Sequence, residues 1–537
     1  MSGIPGTVVS FYSYKGGVGR TMALGNVAIT LAQNGFRVLV VDLDLYAPGV
    51  QEYPPFQKAV KSSIRYVLPG DRELGHGGML DLIERQLWSS APPEEQPFRE
   101  KLRPVDAKKE TWQKWMRRVH EHEASGGYVD AIPAGPADHR ALETLAGIGW
   151  YGFLTKFDGF KFILSMRDQW WREDYDFTLI DSRTGLSDYL QFCVGILPDV
   201  AVVVAGLNEE NLKGLDVPLA SVNEVLPSRN SGLRIIPVLS LIPSGDLDKL
   251  RDRIGKAEES LRSGEWAGLI LGAPVRLPYV ATLAVEELLV VPDHPHASIF
   301  REYVRIAERL ARHRFEEIDN LINLALYEGA VTGLTGGAVT ILDRAREASE
   351  KAQYTFGIIR CAKLDAQRSA YSKAVSVETQ KRFQAAVALI RKRHNLKPGQ
   401  RWKDAHSSVG HWQIELETLV FYARVLAGEK QSKSAVRAFN DALEFMDALE
   451  KRNHADMFAD RDWDRYAHEL LFTRAFCQWG LLQVQAAEIG KGVVVKSVLQ
   501  ASVDKTYELL HQLMPTGISS EVAEPLKQIA DDVKRLP

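Results

Sequence analysis

Cysteine is scarce in these 537 residues: Cys193, Cys361 and Cys477 are the only three, and no two stand at a metal-binding spacing. That excludes a disulfide framework and a metal centre built on cysteine pairs. It marks the three as small buried thiols of a reduced, cytoplasmic protein. Neither sign of charge is in excess, since 66 Lys and Arg face 69 Asp and Glu. Such balance gives no global pull toward nucleic acid or an anionic membrane and leaves only local patches to provide one. No uninterrupted apolar run reaches membrane-spanning length, and Met1–Gly6 shows no basic stretch leading into an apolar core. Neither membrane insertion nor a secretory signal is therefore expected. Hydrophobic content of 45% and charged content of 25% argue against extensive disorder. The length exceeds what one hydrophobic core organises, so two or more domains are expected.

What is present divides into two parts. Thr7–Ser13 reads as a buried strand, followed by a glycine-rich stretch and an apolar-periodic helix from Thr21 to Gln33. Gly35 stops that helix, and Arg37–Leu43 reads as a second buried strand. Strand, loop, helix and strand in that order make a parallel βαβ unit. Residues from about 48 to 174 form an irregular insertion punctuated by prolines, with one strand expected over Tyr128–Pro133. Phe177–Asp181, Asp199–Ala205, Ile235–Leu239 and Arg276–Tyr279 continue the strands. The expectation through residue 314 is an α/β domain with a mostly parallel sheet and helices on both faces. From Phe315 to the end the period is helical throughout, which predicts an all-α domain over 315–537. Antiparallel helix pairs are the economical arrangement there, with a solenoid related to tetratricopeptide arrays as one form of it; no fixed-period signature stands out.

The segment Tyr14-Lys15-Gly16-Gly17-Val18-Gly19-Arg20-Thr21 lies between the first strand and the first helix. Glycines let the backbone take positive φ and turn successive N–H groups inward as an anion nest. The helix behind it adds the positive end of its dipole. Together they suit the phosphates of a nucleotide, and the Thr21 hydroxyl suits a bridging Mg²⁺. A carboxylate at the end of the Phe177–Asp181 strand falls where ligands bind in such sheets, beside the phosphate loop.

The segment resembles the deviant Walker A motif of the ParA/MinD family of P-loop ATPases, whose usual form reads KGGxGK[ST]. The resemblance extends over roughly residues 5–310. It implies ATP and Mg²⁺ as ligands, with Lys15, Gly16, Gly17, Val18, Gly19, Arg20, Thr21 and Met22 around the phosphates. Lys15 falls on the signature lysine that, in relatives, reaches the nucleotide of a partner subunit, so a homodimer across nucleotide is implied. Asp42-Leu43-Asp44 looks like switch I: Asp42 helps hold hydrated Mg²⁺ and Asp44 positions the attacking water. The YDFTLID strand resembles Walker B, with Asp181 toward Mg²⁺ and Ser182–Gly185 as switch II. One departure is plain. The family's second lysine is Arg20, whose planar fork keeps the charge but is not interchangeable with a lysine point charge, so hydrolysis is expected to be slow. The KGGVGR and IDSRTG stretches resemble a subgroup found in prokaryotic signalling and conflict systems, implying a switch in defence or signalling.

Lesser signals remain. Arg183 is read either as a charge-stabilising finger or as a salt-bridged loop residue. Leu207–Asn211 either lines the crevice or caps a helix through an asparagine. The basic stretch Arg391-Lys392-Arg393-His394, with Lys397, Arg401, Trp402 and Lys403, could touch a nucleic-acid backbone, although a solvated helix end and loop is the better reading. The final helix places Val522, Leu526, Ile529, Val533 and Leu536 on one face with mixed charges on the other, so packing against its neighbours is expected in place of membrane binding. The expected function is an ATP-dependent switch that signals to a protein partner through the helical domain. A DNA- or cargo-partitioning ATPase and a non-hydrolysing nucleotide-bound scaffold are the alternatives.

Overall fold

A computed structural model of the chain describes residues 5–61, 67–68, 72–73, 78–90, 115–135, 138–185, 191–213, 232–243, 247–263, 267–284, 288–293, 298–332, 336–371, 377–393, 396, 400–402, 412–455, 463–488, 496–513 and 520–535. The chain divides into two compact units. One holds Gly3–Pro295 and Ile299–Arg314; the other holds Phe315–Pro537 with Met1–Ser2 and His296–Ser298.

The first unit is organised by an eight-stranded sheet. Its strands are β1 (Thr7–Tyr12), β2 (Arg37–Asp42), β5 (Arg117–His122), β6 (Gly127–Ile132), β7 (Phe177–Asp181), β8 (Val200–Gly206), β9 (Arg234–Ile242) and β10 (Val275–Pro278). A separate two-residue hairpin joins β3 (Val67–Leu68) to β4 (Arg72–Glu73). Across the large sheet the order is β10-β9-β8-β1-β7-β2-β6-β5, and every pairing is parallel except β5 with β6. Continuous apolar runs such as TVVSFY and VAVVVAG, buried at every residue, are what a parallel sheet covered on both sides demands.

Register fixes which side chains share a face. Ser10 lies opposite Ile180 on one side and Ala201 on the other, and Ile180 lies opposite Val41. On that face Val8, Leu39, Val41 and Ile180 pack with Phe153, Ile163 and Trp171 from the helices ahead of β7. Tyr12, Ala201, Val203 and Leu239 pack with Ile254 and Ala257 of helix Leu247–Ser263. The helix Arg20–Gln33 packs on β1, β2, β6 and β7. Each aliphatic side chain buried in this way contributes about 1.5–3 kcal/mol. The order also creates a switch point: from β1 the chain passes to β2 on one side, returns to β7, and then crosses to β8 on the other. Crevices for ligands form at the C-terminal ends of strands at such a point.

The strand β5 is an addition to the sequence expectation. Its residues RRVHEH alternate poorly because the register slips between Arg118 and His120, and such a bulge breaks the period of two. The helix after the loop begins at Arg20, one residue earlier than expected.

The second unit is helical among its described residues. Nine helices run from Glu316–Thr332 to Ser520–Arg535. Trp402 is buried against Phe445, with ring centroids 4.8 Å apart, in a core shared with Phe439, Met446 and Leu470. This changes the reading of the basic stretch. The Trp402 ring is internal, Arg391 lies over it at 5.2 Å, and Arg401 pairs with Glu444 at 2.7 Å. His394, Lys397 and Lys403 lie outside the described residues. In the final helix Leu526 and Val533 are buried against Leu499 and Val503, with Ile529 half-buried. The Val522 side chain and Leu536 lie outside the described residues. All three cysteines are buried and unbonded, and no described helix is long and apolar enough to cross a membrane.

One close approach seats the loop-bearing helix. Gly127 of β6 passes so near the Ala32 carbonyl that a Cβ there would overlap the oxygen, and Ser125 Oγ donates to that same oxygen at 2.9 Å. Gly127→Ala is expected to lower stability by about 1–3 kcal/mol through overpacking. A lower urea midpoint with unchanged slope is the result that checks it.

Candidate functional site

The loop Lys15–Gly19 leaves the end of β1 and runs into helix Arg20–Gln33. Gly17 has φ 73° and Gly19 φ 79°, left-handed values that favour glycine and curl the backbone amides toward one point. Gly16 and Gly17 are exposed, and a Cβ on either would meet nothing within 4 Å, so the space over the loop is open. Gly19 is the N-cap and offers no side-chain hydrogen bond, and the first turn carries no acidic residue. The helix N-terminus is therefore left with uncapped donors beside an open nest, which suits an anion. From beneath, Ser240 of β9 donates from Oγ to the Val18 carbonyl at 2.7 Å and fixes the loop to the sheet. Met22 lies just inside the helix with its methyl near Gly19.

Three carboxylates gather under this loop. Asp42 ends β2, Asp181 ends β7, and the two are register partners. Asp44 follows β2, and its backbone N–H donates to Asp42 Oδ1 at 2.9 Å. Arg20 is buried among them. Its Nη2 donates to Asp44 Oδ2 at 2.9 Å, and its Nε stands 2.6 Å from Asp181 Oδ1. The second contact is an ion pair without the alignment of a hydrogen bond, so Nε and Oδ1 both remain unsatisfied. Thr21 Oγ donates to Asp181 Oδ2 at 2.8 Å.

The electrostatics follow from burial. Burial and the neighbouring Asp181 charge push the Asp42 carboxyl well above the usual carboxylate range. Asp181 is also raised by burial, with the Arg20 charge and the Thr21 hydrogen bond opposing. Burial disfavours the charged Arg20, yet its two carboxylate partners more than restore it and leave it raised. One guanidinium against three carboxylates leaves a surplus of negative charge.

That surplus bears on whether a divalent cation fits. Asp42 Oδ2, Asp44 Oδ1 and Asp181 Oδ1 are buried oxygens without a hydrogen-bond partner. Among the described residues no three acidic, histidine or cysteine side chains form a ready-made cage. Mg²⁺ needs none, since it keeps waters and is completed by one or two carboxylates and the phosphates. The residues present fit it.

The remaining expectations settle into specific contacts. Lys15 is half-exposed, and its Nζ pairs with Glu210 Oε1 at 2.5 Å, a hydrogen bond that raises its pKa. Asn208 caps the helix Glu209–Lys213 by accepting from the Asn211 N–H at 2.8 Å, while Asn211 lies against Gly206. The stretch after β8 therefore both caps a helix and reaches the loop through Glu210. Arg183 stacks over the Tyr46 ring at 3.9 Å, a contact that neither sequence reading of it named. Gly185 has φ 71°, and Ser182 Oγ donates to the Phe11 carbonyl at 2.7 Å. Ser240 and Tyr46 were missed because nothing in their local sequence marks them; the register of β9 and the path after β2 bring them in.

A glycine nest opening a helix at the switch point of a parallel sheet, with carboxylates at the ends of two neighbouring strands, defines a P-loop nucleotide site. Residues 6–76 match a family model described as an AAA domain. That match spans the phosphate loop, the helix behind it, β2 and the Asp42–Asp44 segment. Solved structures similar to the chain include a plasmid partition protein from Borrelia burgdorferi, with 15% identity over 56% of this chain and 96% of that one at a TM-score of 0.34. The MinC:MinD cell division complex of Aquifex aeolicus shows 18% identity over 57% and 95%, at 0.33. The septum site-determining protein MinD of Pyrococcus horikoshii, complexed with Mg-ADP, shows 16% over 57% and 95%, also at 0.33. No curated protein matches the sequence.

The strained carboxylate gives a testable pH dependence. A carboxyl raised in the folded state favours folding at pH values below its unfolded pKa of about 4, and that contribution is lost as pH rises through the folded value. Asp42→Asn keeps the acceptor for the Asp44 N–H and removes the buried charge. The ligand-free variant is expected to be more stable than wild type at pH 8, with the difference closing toward pH 4. Urea titrations at several pH values check this; a gap that widens on acidification would contradict it.

Proposed function

We propose that the chain is an ATP-binding, slowly hydrolysing molecular switch that dimerises across nucleotide and passes its state to a protein partner. One observation carries the reading: an open, uncapped nest sits at a buried cluster of Arg20, Asp42, Asp44 and Asp181, with half-buried Thr21 bonded to it. Residues 1–314 form the ATPase domain in this reading, and 315–537 form an all-α interaction domain. Gly16–Thr21 and Met22 would surround the phosphates, and Thr21, Asp42 and Asp181 would hold a Mg²⁺ ion that supplies charge neutralisation there. Asp44 orients the attacking water. Lys15 rests on Glu210 of its own chain, an exposed pair that costs little to break, and turns to the partner's nucleotide on dimerisation.

Slow turnover follows from Arg20. Phosphoryl transfer depends on placing positive charge at the transferring group. A guanidinium that also serves two carboxylates divides its field between them and the phosphates. Loss of the γ-phosphate then relaxes the loops at Asp44 and Gly185 and releases the dimer, as in other order–disorder switches. A prokaryotic defence or signalling output fits the KGGVGR and IDSRTG stretches. The partitioning alternative has less support, because Trp402 is buried and Arg401 is paired within the helical unit.

Light scattering with ATP–Mg²⁺, ADP–Mg²⁺ and no nucleotide, alongside phosphate release, tests the reading. A dimer is expected with ATP alone. Asp44→Ala should reduce release by about a hundredfold or more, as loss of a water-orienting group does, while leaving nucleotide binding in place. Lys15→Ala should lose the dimer more than the binding. Constant mass with no phosphate release would leave a nucleotide-bound scaffold in its place.

A further inference from the structure

We propose that Arg20 is a latch on the metal-binding groups, so that phosphate must enter the site before a divalent cation can. The inference rests on the reading of this cluster as an ATP–Mg²⁺ site and adds the order in which the two ligands bind.

Most groups assigned to the cation contact Arg20 or one another, and Asp42 Oδ2 is the one oxygen of Asp42 without a hydrogen-bond partner. Thr21 Oγ donates to Asp181 Oδ2 at 2.8 Å and keeps its lone pairs for a cation, so the obstacle lies with Arg20. Asp181 also faces the Arg20 Nε at 2.6 Å, and Asp44 is held by Arg20 Nη2 at 2.9 Å. The Asp44 backbone is in turn tied to Asp42 by its N–H at 2.9 Å. The guanidinium is 6% exposed and lies among Asp44, Asp181 and Thr21, occupying charge space a dication needs. A cation arriving alone would have to expel it and leave a buried guanidinium unpaired, and stripping one partner from a buried pair is strongly unfavourable.

Phosphate removes that obstacle. The loop's donors and the helix N-terminus gather its oxygens immediately beside Arg20, and a planar fork suits phosphate as well as carboxylate. Once Arg20 turns to the phosphates, Asp44 and Asp181 are left buried with excess negative charge. The cation then enters a site that has just become vacant and attractive. An arginine suits this role because one planar group contacts both carboxylates, whereas a lysine ammonium is a single point of charge.

The test needs no turnover. Mn²⁺ is titrated into nucleotide-free protein and the free ion is read by electron paramagnetic resonance, for wild type, Arg20→Gln and Arg20→Lys. Wild type is expected to bind Mn²⁺ about tenfold or more weakly than Arg20→Gln, a difference of about 1.4 kcal/mol or more, with Arg20→Lys between them. A rise in melting temperature with Mn²⁺ alone should accompany Arg20→Gln and be absent in wild type. If Arg20→Gln does not fold, Arg20→Lys and wild type still decide the matter. Tight Mn²⁺ binding by nucleotide-free wild type, or equal binding by wild type and the variants, overturns the latch. Binding of a fluorescent ATP analogue to wild type is measured in parallel. Its absence defeats the nucleotide reading itself, while its presence together with tight Mn²⁺ binding before nucleotide defeats only the order.

Discussion

The geometry of the N-terminal unit turns on one buried guanidinium. Arg20 joins three pieces of chain that are remote in sequence: the first helical turn, the segment after β2 and the end of β7. Without a cation there, Asp44 and Asp181 would face each other across a dry space with Asp42 behind them, and burial alone already raises Asp42 and Asp181. The parallel sheet brings about this crowding. Because β7 lies between β1 and β2 in register, Phe11, Asp181 and Asp42 stand side by side, and the carboxylates cannot separate without breaking the ladder. The fold therefore holds an unfavourable charge arrangement in place and relieves it with a single side chain.

The phosphate loop is tied to the sheet at points that lie far away in sequence. Ser240 at the end of β9 holds Val18 from below, and Glu210 after β8 holds Lys15 from the side. Across β1, Tyr12 reaches the Gly185 carbonyl at 3.4 Å and Arg183 covers Tyr46. The segments after β2, β7 and β8 and the end of β9 thus all converge on the segment after β1. A change of charge over the loop acts on several of these contacts at once, through hydrogen bonds and ion pairs that are weak enough to exchange. The buried strands beneath, whose side chains fill both faces of the sheet, have no comparable freedom.

Much of this was legible in the chain because the motif and the element pattern agree. Seven of the eight sheet strands appear as apolar runs at the expected places, and the loop, Thr21, Asp42, Asp44 and Asp181 can be picked out from their positions relative to those runs. The strand β5 was not legible, since its bulge removes the alternation that marks a half-buried strand. The Arg183 contact was not legible for a different reason: a stacking partner such as Tyr46 is chosen by tertiary path and leaves no mark in local sequence. The basic stretch near Trp402 left two readings open, because composition alone cannot tell an aromatic ring offered to solvent from one that anchors a helical core. Strand order is likewise a property of long-range pairing, and only the structure shows that β7 returns between β1 and β2.

The exchange of lysine for arginine in the loop is best understood as a change in what the resting site does. A lysine ammonium is small and strongly hydrated, and it neutralises one point. A guanidinium spreads its charge over a plane and reaches two carboxylates from a buried position, at the cost of being harder to move. The resting cluster is then more firmly closed, and opening it requires a ligand that offers the guanidinium equivalent acceptors. Inorganic cations cannot do so, and a polyphosphate can. In the proposed reading, closure before binding and divided charge during phosphoryl transfer would both follow from the same geometry, since a guanidinium shared by Asp44 and Asp181 cannot give its whole field to a phosphoryl group.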